Sequence, residues 1–133
     1  MPSIRHVAVR CKSPSEMAEF YKTVFDLQEV WRDENGRVVY LTDGVINLAL
    51  LPPPAEGSSE TTGINHFGFE IEDLEEIKQR MALMEVPEPT QSPRDGRRYA
   101  EFRGLDPEGN GFDLSEKGWT ITAPPGAPGV SPA

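Results

Sequence analysis

The fold is decided by residues 3–13, SIRHVAVRCKS, and by their near copy at residues 63–73, GINHFGFEIED. In both stretches the core-forming side chains alternate with others, which is typical of a β-strand that buries one face. Each stretch ends on a residue that caps helices well, Ser13 in the first and Asp73 in the second. The two copies are offset by 60 residues. We therefore expect a duplicated unit in which a strand leads into a helix.

Three further strands are expected after each helix, because alternating runs continue and turn signals separate them. The turn signals are Asn35-Gly36, Asp43-Gly44 and Asp106-Pro107-Glu108-Gly109. The strands are predicted at residues 27–33, 37–42 and 45–51, then at 86–93 (an irregular segment or edge strand), 97–103 and 110–116. The chain is thus predicted to be one α+β domain, residues 1–133, with βαβββ modules at 3–51 and 63–116, a linker at 52–62 and a Pro/Gly-rich tail at 117–133.

The composition of the chain limits the kinds of partner that it is expected to bind. The 133 residues carry 22 acidic and 13 basic side chains, a net charge of -9, and nucleic acid is not expected as a partner because binding it needs a basic face. No apolar run approaches the ~20 residues that span a membrane, and early charges such as Arg5 and Arg10 argue against a signal peptide. The lone Cys11 falls on the core face and is expected to be a buried, inert thiol. We expect a cytoplasmic protein that binds a small molecule.

The two histidines of the chain, His6 and His66, occupy equivalent positions in the two modules. Both are expected on the strand face that points away from the core. The fourth strands align at an offset of 64, which sets Asp113 against Ala49. Two halves related by a pseudo-twofold axis would bring these faces round one cavity. Two imidazoles and one carboxylate suit Fe²⁺, Mn²⁺, Ni²⁺, Co²⁺ or Zn²⁺, so His6, His66 and Asp113 are candidate metal ligands; a structural role for the histidines is the alternative.

Four motifs carry a resemblance to a known family: IRHVAV at residues 4–9, MAEFY at 17–21, GINHFGF at 63–69 and DPEGNGFDL at 106–114. Together they resemble the vicinal oxygen chelate superfamily. That superfamily includes glyoxalase I, the fosfomycin and bleomycin resistance proteins and the extradiol dioxygenases. The resemblance implies two paired βαβββ modules that form a curved mixed-sheet cup lined by a metal ion, usually within a homodimer.

The resemblance also implies that the metal ligands come from the first and fourth strand of each module. These positions hold His6, Ala49, His66 and Asp113. Glyoxalase I-like members fill all four positions, so Ala49 favours the dioxygenase and fosfomycin resistance branches, which leave the fourth position empty. Those branches normally carry Glu where this chain has Asp113. Bleomycin-binding members use no catalytic metal, and the two histidines argue against that branch.

Strand alternation predicts which other side chains line the cup. Tyr99 and Arg103 are the candidate catalytic residues: Tyr99 would donate a hydrogen bond or a proton, and Arg103 would hold an anionic group of the substrate. The candidate substrate contacts are Trp31, Tyr40, Asn47 and Glu101, with Val38 beside them. For the two aromatic residues among them, packing within the lining or at a dimer interface is the alternative.

The function predicted from the sequence is that of a metal-dependent enzyme acting on a small molecule with two neighbouring oxygens. A dioxygenase-like reaction with Fe²⁺ is favoured, and a lyase, an isomerase or a thiol-transferring resistance enzyme are the alternatives. A metal-free protein that sequesters a small ligand is the alternative from a different class. Substrate identity is not encoded in any motif, because one fold supports many cup linings.

Overall fold

The computed structural model describes residues 1–92 and 100–117. Within this part the chain forms two compact units, one over His6–Asn65 and one that joins Met1–Arg5 to the described residues from His66 onward. Arg5 belongs to the latter unit, where its Nε donates to Glu70 Oε1 at 3.2 Å. Each unit contains the helix and the later strands of one predicted module.

The first module contains five elements in the order strand, helix, strand, strand, strand. They are β1 Ser3–Arg10, α1 Pro14–Phe25, β2 Gln28–Arg32, β3 Val39–Thr42 and β4 Asn47–Leu51. Hydrogen bonding orders the strands β2-β3-β4-β1, with β1 parallel to β4 and the other pairs antiparallel.

Helix α1 begins where the sequence predicts. Ser13 is its N-cap, and the Ser13 side chain accepts a hydrogen bond from the backbone N–H of Glu16. Pro14 follows at the first turn, where a missing N–H costs nothing. The helix ends at Asp26, whose left-handed backbone (φ 58°) lets its N–H bond to Lys22 O. The cap residues therefore set both ends of the element.

The core of the first module lies between α1 and one face of its strands. Val9 and Cys11 at the end of β1 are buried there with Val39, Leu41 and Leu50. Ala18 presents the small side chain through which α1 packs against them. The predicted core face of β1 is confirmed, and the side chains of His6 and Ala8 therefore lie on the other face.

The second module repeats the element order. Its members are β5 Gly63–Glu70, α2 Leu74–Leu83, β6 Thr90–Gln91, β7 Phe102–Leu105 and β8 Gly111–Ser115. Asp73 caps α2 by accepting from the backbone N–H groups of Glu75 and Glu76. The strand order is β5-β8-β7-β6, and Ile71, Leu74 and Leu114 form the buried core. The predicted α+β fold class with two βαβββ modules is confirmed.

Strand register confirms the internal repeat. In the first module Ala8 on β1 lies opposite Ala49 on β4, and in the second Gly68 on β5 lies opposite Asp113 on β8. The same two offsets that align the sequences therefore align the hydrogen-bonded pairs.

Some boundaries differ from the prediction. The strand expected at 97–103 is observed as β7 Phe102–Leu105, and residues 93–99 lie outside the described part. In the described part of the edge segment, residues 86–92, the strand is limited to the two-residue β6, because Pro87 and Pro89 cannot donate to a ladder. Helix α2 ends at Leu83, and Met84 is its C-cap.

Neither α1 nor α2 is long and apolar enough to cross a membrane.

Candidate metal centre

The strongest polar feature of the second module is a buried pair formed by His66 and Asp113. His66 Nε2 lies 2.9 Å from Asp113 Oδ2, and the two residues are 6% and 2% exposed. The register explains the pairing: Asp113 lies directly opposite Gly68, which has no side chain, so it meets the imidazole two residues away on the same strand face. The sequence predicted both residues on this face, and the structure brings them together.

Arg103 contacts the same carboxylate. It lies opposite Asp113 on the neighbouring strand, and its Nε donates to Asp113 Oδ1 at 3.3 Å. The Arg103 side chain is 45% exposed, so part of its guanidinium faces solvent while Nε holds the buried acid. The sequence placed Arg103 on this face as a substrate contact; its bond to a candidate ligand is a role that the sequence reasoning missed.

A buried carboxylate is costly unless charge or hydrogen bonds compensate it. Here each oxygen of Asp113 has a nitrogen partner, since Oδ1 meets Arg103 and Oδ2 meets His66. The 2.9 Å separation of the His66 and Asp113 donor atoms also suits a metal ion, because ligand atoms about 2.0–2.2 Å from an ion lie roughly 3 Å apart when they occupy adjacent positions. The donor set and its spacing therefore fit a divalent metal.

The equivalent region of the first module carries His6. It lies on β1 opposite Asn47 on β4, and the two residues are 6% and 2% exposed. Thr42 on β3 continues the row as a third buried polar residue, with its hydroxyl donating to Ile46 O at 2.8 Å. The sequence reasoning missed Thr42, although the Asp43-Gly44 turn fixes the register that places it there. His6 as a third metal ligand remains a prediction from the repeat.

Trp31 and Tyr40, two of the predicted substrate contacts, are neighbours on β2 and β3. Their ring centroids are 5.3 Å apart at an interplanar angle of 47°. The structure therefore confirms that these rings share one face, and their contact with a substrate remains a prediction.

The Glu101 side chain forms hydrogen bonds with the backbone. Its Oε1 accepts from the backbone N–H groups of Glu116 and Lys117 at 3.0 and 3.2 Å, which ties the residue before β7 to the chain after β8. Its contact with a substrate is untested. Tyr99, the predicted proton donor, lies outside the described residues.

Cys11 is placed as expected on the core face. It is 4% exposed, its Sγ donates to Val9 O, and burial raises the pKa of the thiol. A raised pKa keeps the group as the weakly nucleophilic thiol at neutral pH, so it takes no part in the candidate centre.

Comparison with known proteins identifies a family that the sequence matches and solved structures that share the fold. The model of the Glyoxalase/Bleomycin resistance protein/Dioxygenase superfamily matches residues 3–114. No match is found among curated proteins.

Several solved structures share the fold at low sequence identity. The 2,3-dioxygenase LapB from Pseudomonas sp. KL28 is 22% identical with a TM-score of 0.66; the match covers 98% of this chain and 46% of that one. A hypothetical protein from Bacillus halodurans C-125 is 19% identical with a TM-score of 0.62, over 90% and 98% of the two chains. Methylmalonyl-CoA epimerase from Streptomyces coelicolor is 20% identical with a TM-score of 0.58, over 84% and 94%. At these identities the likeness concerns the fold alone.

Proposed function

Because the chain belongs to the Glyoxalase/Bleomycin resistance protein/Dioxygenase superfamily, we propose that it is a metal-dependent enzyme acting on a small molecule with two neighbouring oxygens. The observation that carries this proposal is the buried pair of His66 and Asp113, whose donor atoms lie 2.9 Å apart. His6 is the third ligand of the proposal, because it occupies the position in the first module that His66 occupies in the second.

A divalent ion held by these residues would act as a Lewis acid toward a substrate oxygen. Fe²⁺ is the favoured ion, and Mn²⁺, Zn²⁺, Ni²⁺ and Co²⁺ suit the same donors. Imidazole and carboxylate ligands do not select among these ions by themselves, so the choice of Fe²⁺ rests on the proposed reaction.

The remaining candidate residues have supporting roles in this proposal. Arg103 orients Asp113 through the hydrogen bond from its Nε, and the exposed part of its guanidinium binds an anionic group of the substrate in this scheme. Tyr99 supplies a proton or hydrogen bond to a substrate oxygen in this scheme. Asn47 and Glu101 offer polar contacts, and Trp31 and Tyr40 offer apolar ones.

The proposed reaction is dioxygenase-like. Its support is the three-ligand set with Ala49 in the fourth position, a pattern that resembles the dioxygenase branch and differs from glyoxalase I-like members. A lyase, isomerase or thiol-transfer reaction would use the same ligands. If the protein binds no metal, the alternative is a protein that sequesters a small ligand without metal. The His66–Asp113 pair is compatible with that alternative, because the two side chains also form a hydrogen bond with each other.

The proposal is tested by metal binding to tag-free protein. We expect one equivalent of Fe²⁺ or Mn²⁺ per chain, with Asp113→Asn weakening the affinity by at least about 100-fold, the upper end of the loss caused by removing an outer-shell partner. Asp106→Asn is the matched control, because Asp106 belongs to an exposed turn of the same module. Stoichiometric binding that Asp113→Asn leaves unchanged would show that the ligand is misassigned, and no binding at all would overturn the enzyme proposal.

The protein is further proposed to act as a cytoplasmic homodimer without nucleic acid or membrane partners. The family resemblance supports the dimer, and the single buried cysteine and the acidic balance support the rest. Light scattering after size exclusion is the measurement for the dimer: a mass near twice 14.7 kDa is expected, and a monomer at all concentrations would contradict it.

A further inference from the structure

A pocket of about 300 Å³ lies in the second module between α2 and the turn that joins β7 to β8. Phe112 on β8 lines it together with Ile77 of α2, and both side chains pack against the core of this module. Asp113, the next residue of β8, points to the opposite face of the sheet because side chains alternate along a strand. The pocket is therefore separate from the candidate metal centre.

Backbone hydrogen bonds hold both walls of the pocket in place. At the end of α2, Glu85 adopts a left-handed conformation (φ 60°), and the backbone N–H of Val86 donates to Met81 O at 3.4 Å. On the other side, the backbone N–H of Asp106 donates to Asn110 O at 2.9 Å and closes the turn. The pocket is thus part of the folded module before any ligand binds, which is usual for small-molecule sites.

The pocket presents apolar surface to solvent. Met81 and Phe112 are half-buried lining residues. Met84 and Leu105, which also line the pocket, are 69% and 43% exposed. Methionine side chains are flexible and polarisable, so they adapt to the shape of an apolar partner. A ligand that covered this surface would remove apolar area from water, which favours an apolar ligand.

The first module holds larger apolar side chains at the equivalent helix positions. The offset of 60 sets Tyr21 against Met81 and Phe20 against Arg80. The Tyr21 ring packs against the core of the first module, and the Phe20 ring meets it edge-on with the two centroids 5.2 Å apart. Two rings in one module thus correspond to two unbranched side chains in the other. The second module lacks this aromatic bulk, and an apolar ligand in the pocket would replace it.

The two charged residues of the lining argue for an uncharged ligand. Arg80 forms an ion pair with Glu76, which lies one turn earlier on α2. Asp106 Oδ1 accepts from the backbone N–H groups of Glu108 and Asn110, and Asp106 Oδ2 accepts from the Asn110 amide. A charged group in the pocket would lose hydration without gaining an uncommitted partner of opposite charge, which is costly.

The size of the pocket favours a small molecule over a protein partner. Nine residues of the described part of the chain line it, whereas a stable protein interface takes about 20–30 residues from each side. If each non-hydrogen atom of a ligand takes about 30 Å³, the share of one water molecule in the liquid, a volume of about 300 Å³ holds about ten such atoms.

We propose that this pocket is a ligand site distinct from the metal centre and that it binds a small uncharged apolar molecule of about ten non-hydrogen atoms. The ligand packs against Met81, Met84, Leu105 and Phe112, and it is selected by shape and burial rather than by hydrogen bonds. Neither the proposed metal ion nor its ligands take part, so this site and the proposed function can fail independently.

Methionine methyl groups are the reporters of the test. The chain contains four methionines; Met81 and Met84 line the pocket, and Met1 and Met17 are not among its lining residues. Protein labelled with ¹³C at these methyl groups is titrated by NMR with 1-octanol and with its charged analogues octanoate and octylammonium. Saturable shifts of the Met81 and Met84 signals by 1-octanol are expected. Both analogues should bind at least about 10-fold more weakly, because their charge would be unpaired.

Shifts that do not saturate, shifts of all four methionine signals together, or no shift with 1-octanol would overturn the site. Octanoate or octylammonium binding as tightly as 1-octanol would overturn the assignment to an uncharged ligand.

A pair of variants tests the location of the site. Leu105→Trp places a ring at the mouth of the pocket and is expected to weaken 1-octanol binding at least about 10-fold, since the ring takes up ligand volume. Leu83→Trp is the matched control, because Leu83 belongs to the same module, is 84% exposed and is not a lining residue. It should leave the affinity unchanged, and equal affinities of the two variants would contradict the location.

Met84→Glu covers the case in which Leu105→Trp does not fold, because Met84 is 69% exposed and tolerates a polar side chain. The variant places a carboxylate at the mouth and is expected to weaken 1-octanol binding by a similar factor, measured on the Met81 signal. Leu83→Glu is its control and should bind like the wild type. Wild-type affinity of Met84→Glu would overturn the proposal.

Discussion

At the scale of single residues, Asp113 and Ala49 show how one position diverges within a repeated fold. The strand pairing is the same at both, yet one holds a carboxylate bonded to His66 and Arg103 and the other a methyl group. We infer that the second module supplies two metal ligands and that the first supplies one.

Alternation of side chains placed His66 and Asp113 on the face where the structure brings them together, because the period of a strand fixes the face of each side chain. It did not predict the bond between Arg103 and Asp113, since contacts across neighbouring strands depend on a register that no local pattern contains. The same limit applies to Glu101, whose carboxylate bonds to the backbone of a segment fifteen residues away.

Gly104 gives a prediction for stability. It lies opposite Phe112, and a Cβ built at Gly104 would stand 2.6 Å from Phe112 Cζ. Gly104→Ala should therefore lower the free energy of unfolding by about 1–3 kcal/mol, the usual cost of overpacking. Gly111→Ala is the control, because a Cβ there meets nothing within 4 Å. Urea unfolding measures both, and equal stabilities of the two variants would contradict the packing described here.

At the scale of elements, the helix starts that are set by side-chain caps were predicted well, and the strand boundaries were predicted less well. Ser13 and Asp73 start their helices where expected, since a cap is a local hydrogen bond that the sequence displays. Strand β3 begins at Val39 and not at 37, because Asp33 Oδ1 takes up the backbone N–H groups of Arg37 and Val38 in the turn. Whether such backbone N–H groups bond to a turn residue or to a neighbouring strand is decided by tertiary geometry.

The β3–β4 turn gives a pH prediction. Hydrogen bonds from the backbone N–H groups of Ile46 and Val45 hold the pKa of Asp43 below its usual range. A depressed folded-state pKa contributes stability above the unfolded value of about 3.9, and this contribution is lost as pH falls through the folded value. The stability of the wild type relative to Asp43→Asn should therefore be constant near neutrality and decline below about pH 4. Urea midpoints across that range measure it, and a difference that does not change with pH would contradict the role given to Asp43.

At the scale of the whole molecule, the duplication is the most informative property of the sequence. It predicted the element order of both modules, which the structure confirms. It also indicated that the two histidines belong together, since both occupy the same position of the repeated unit. Substrate and reaction are not encoded at this scale, because they depend on side chains that the two modules do not share.

Metal binding should appear as stability of the whole chain. An ion that binds only the folded state stabilises it by about 2.7 kcal/mol at 100 times its Kd, which raises the unfolding midpoint of a chain of this size by several degrees. Wild-type protein should show this rise on addition of Mn²⁺, a surrogate without redox chemistry, and lose it with chelator. His66→Ala and His6→Ala should show none. A rise that survives in either variant would remove that histidine from the ligand set.

We propose that His66 and Asp113 hold a metal ion together with His6, and anomalous diffraction from crystals grown with Mn²⁺ or Fe²⁺ would locate that ion. One strong peak is expected within bonding distance of His66 Nε2 and an Asp113 oxygen, with a His6 nitrogen as the third protein ligand. A metal-loaded crystal in which His66 and Asp113 still bond only to each other, with the peak elsewhere or absent, would contradict it.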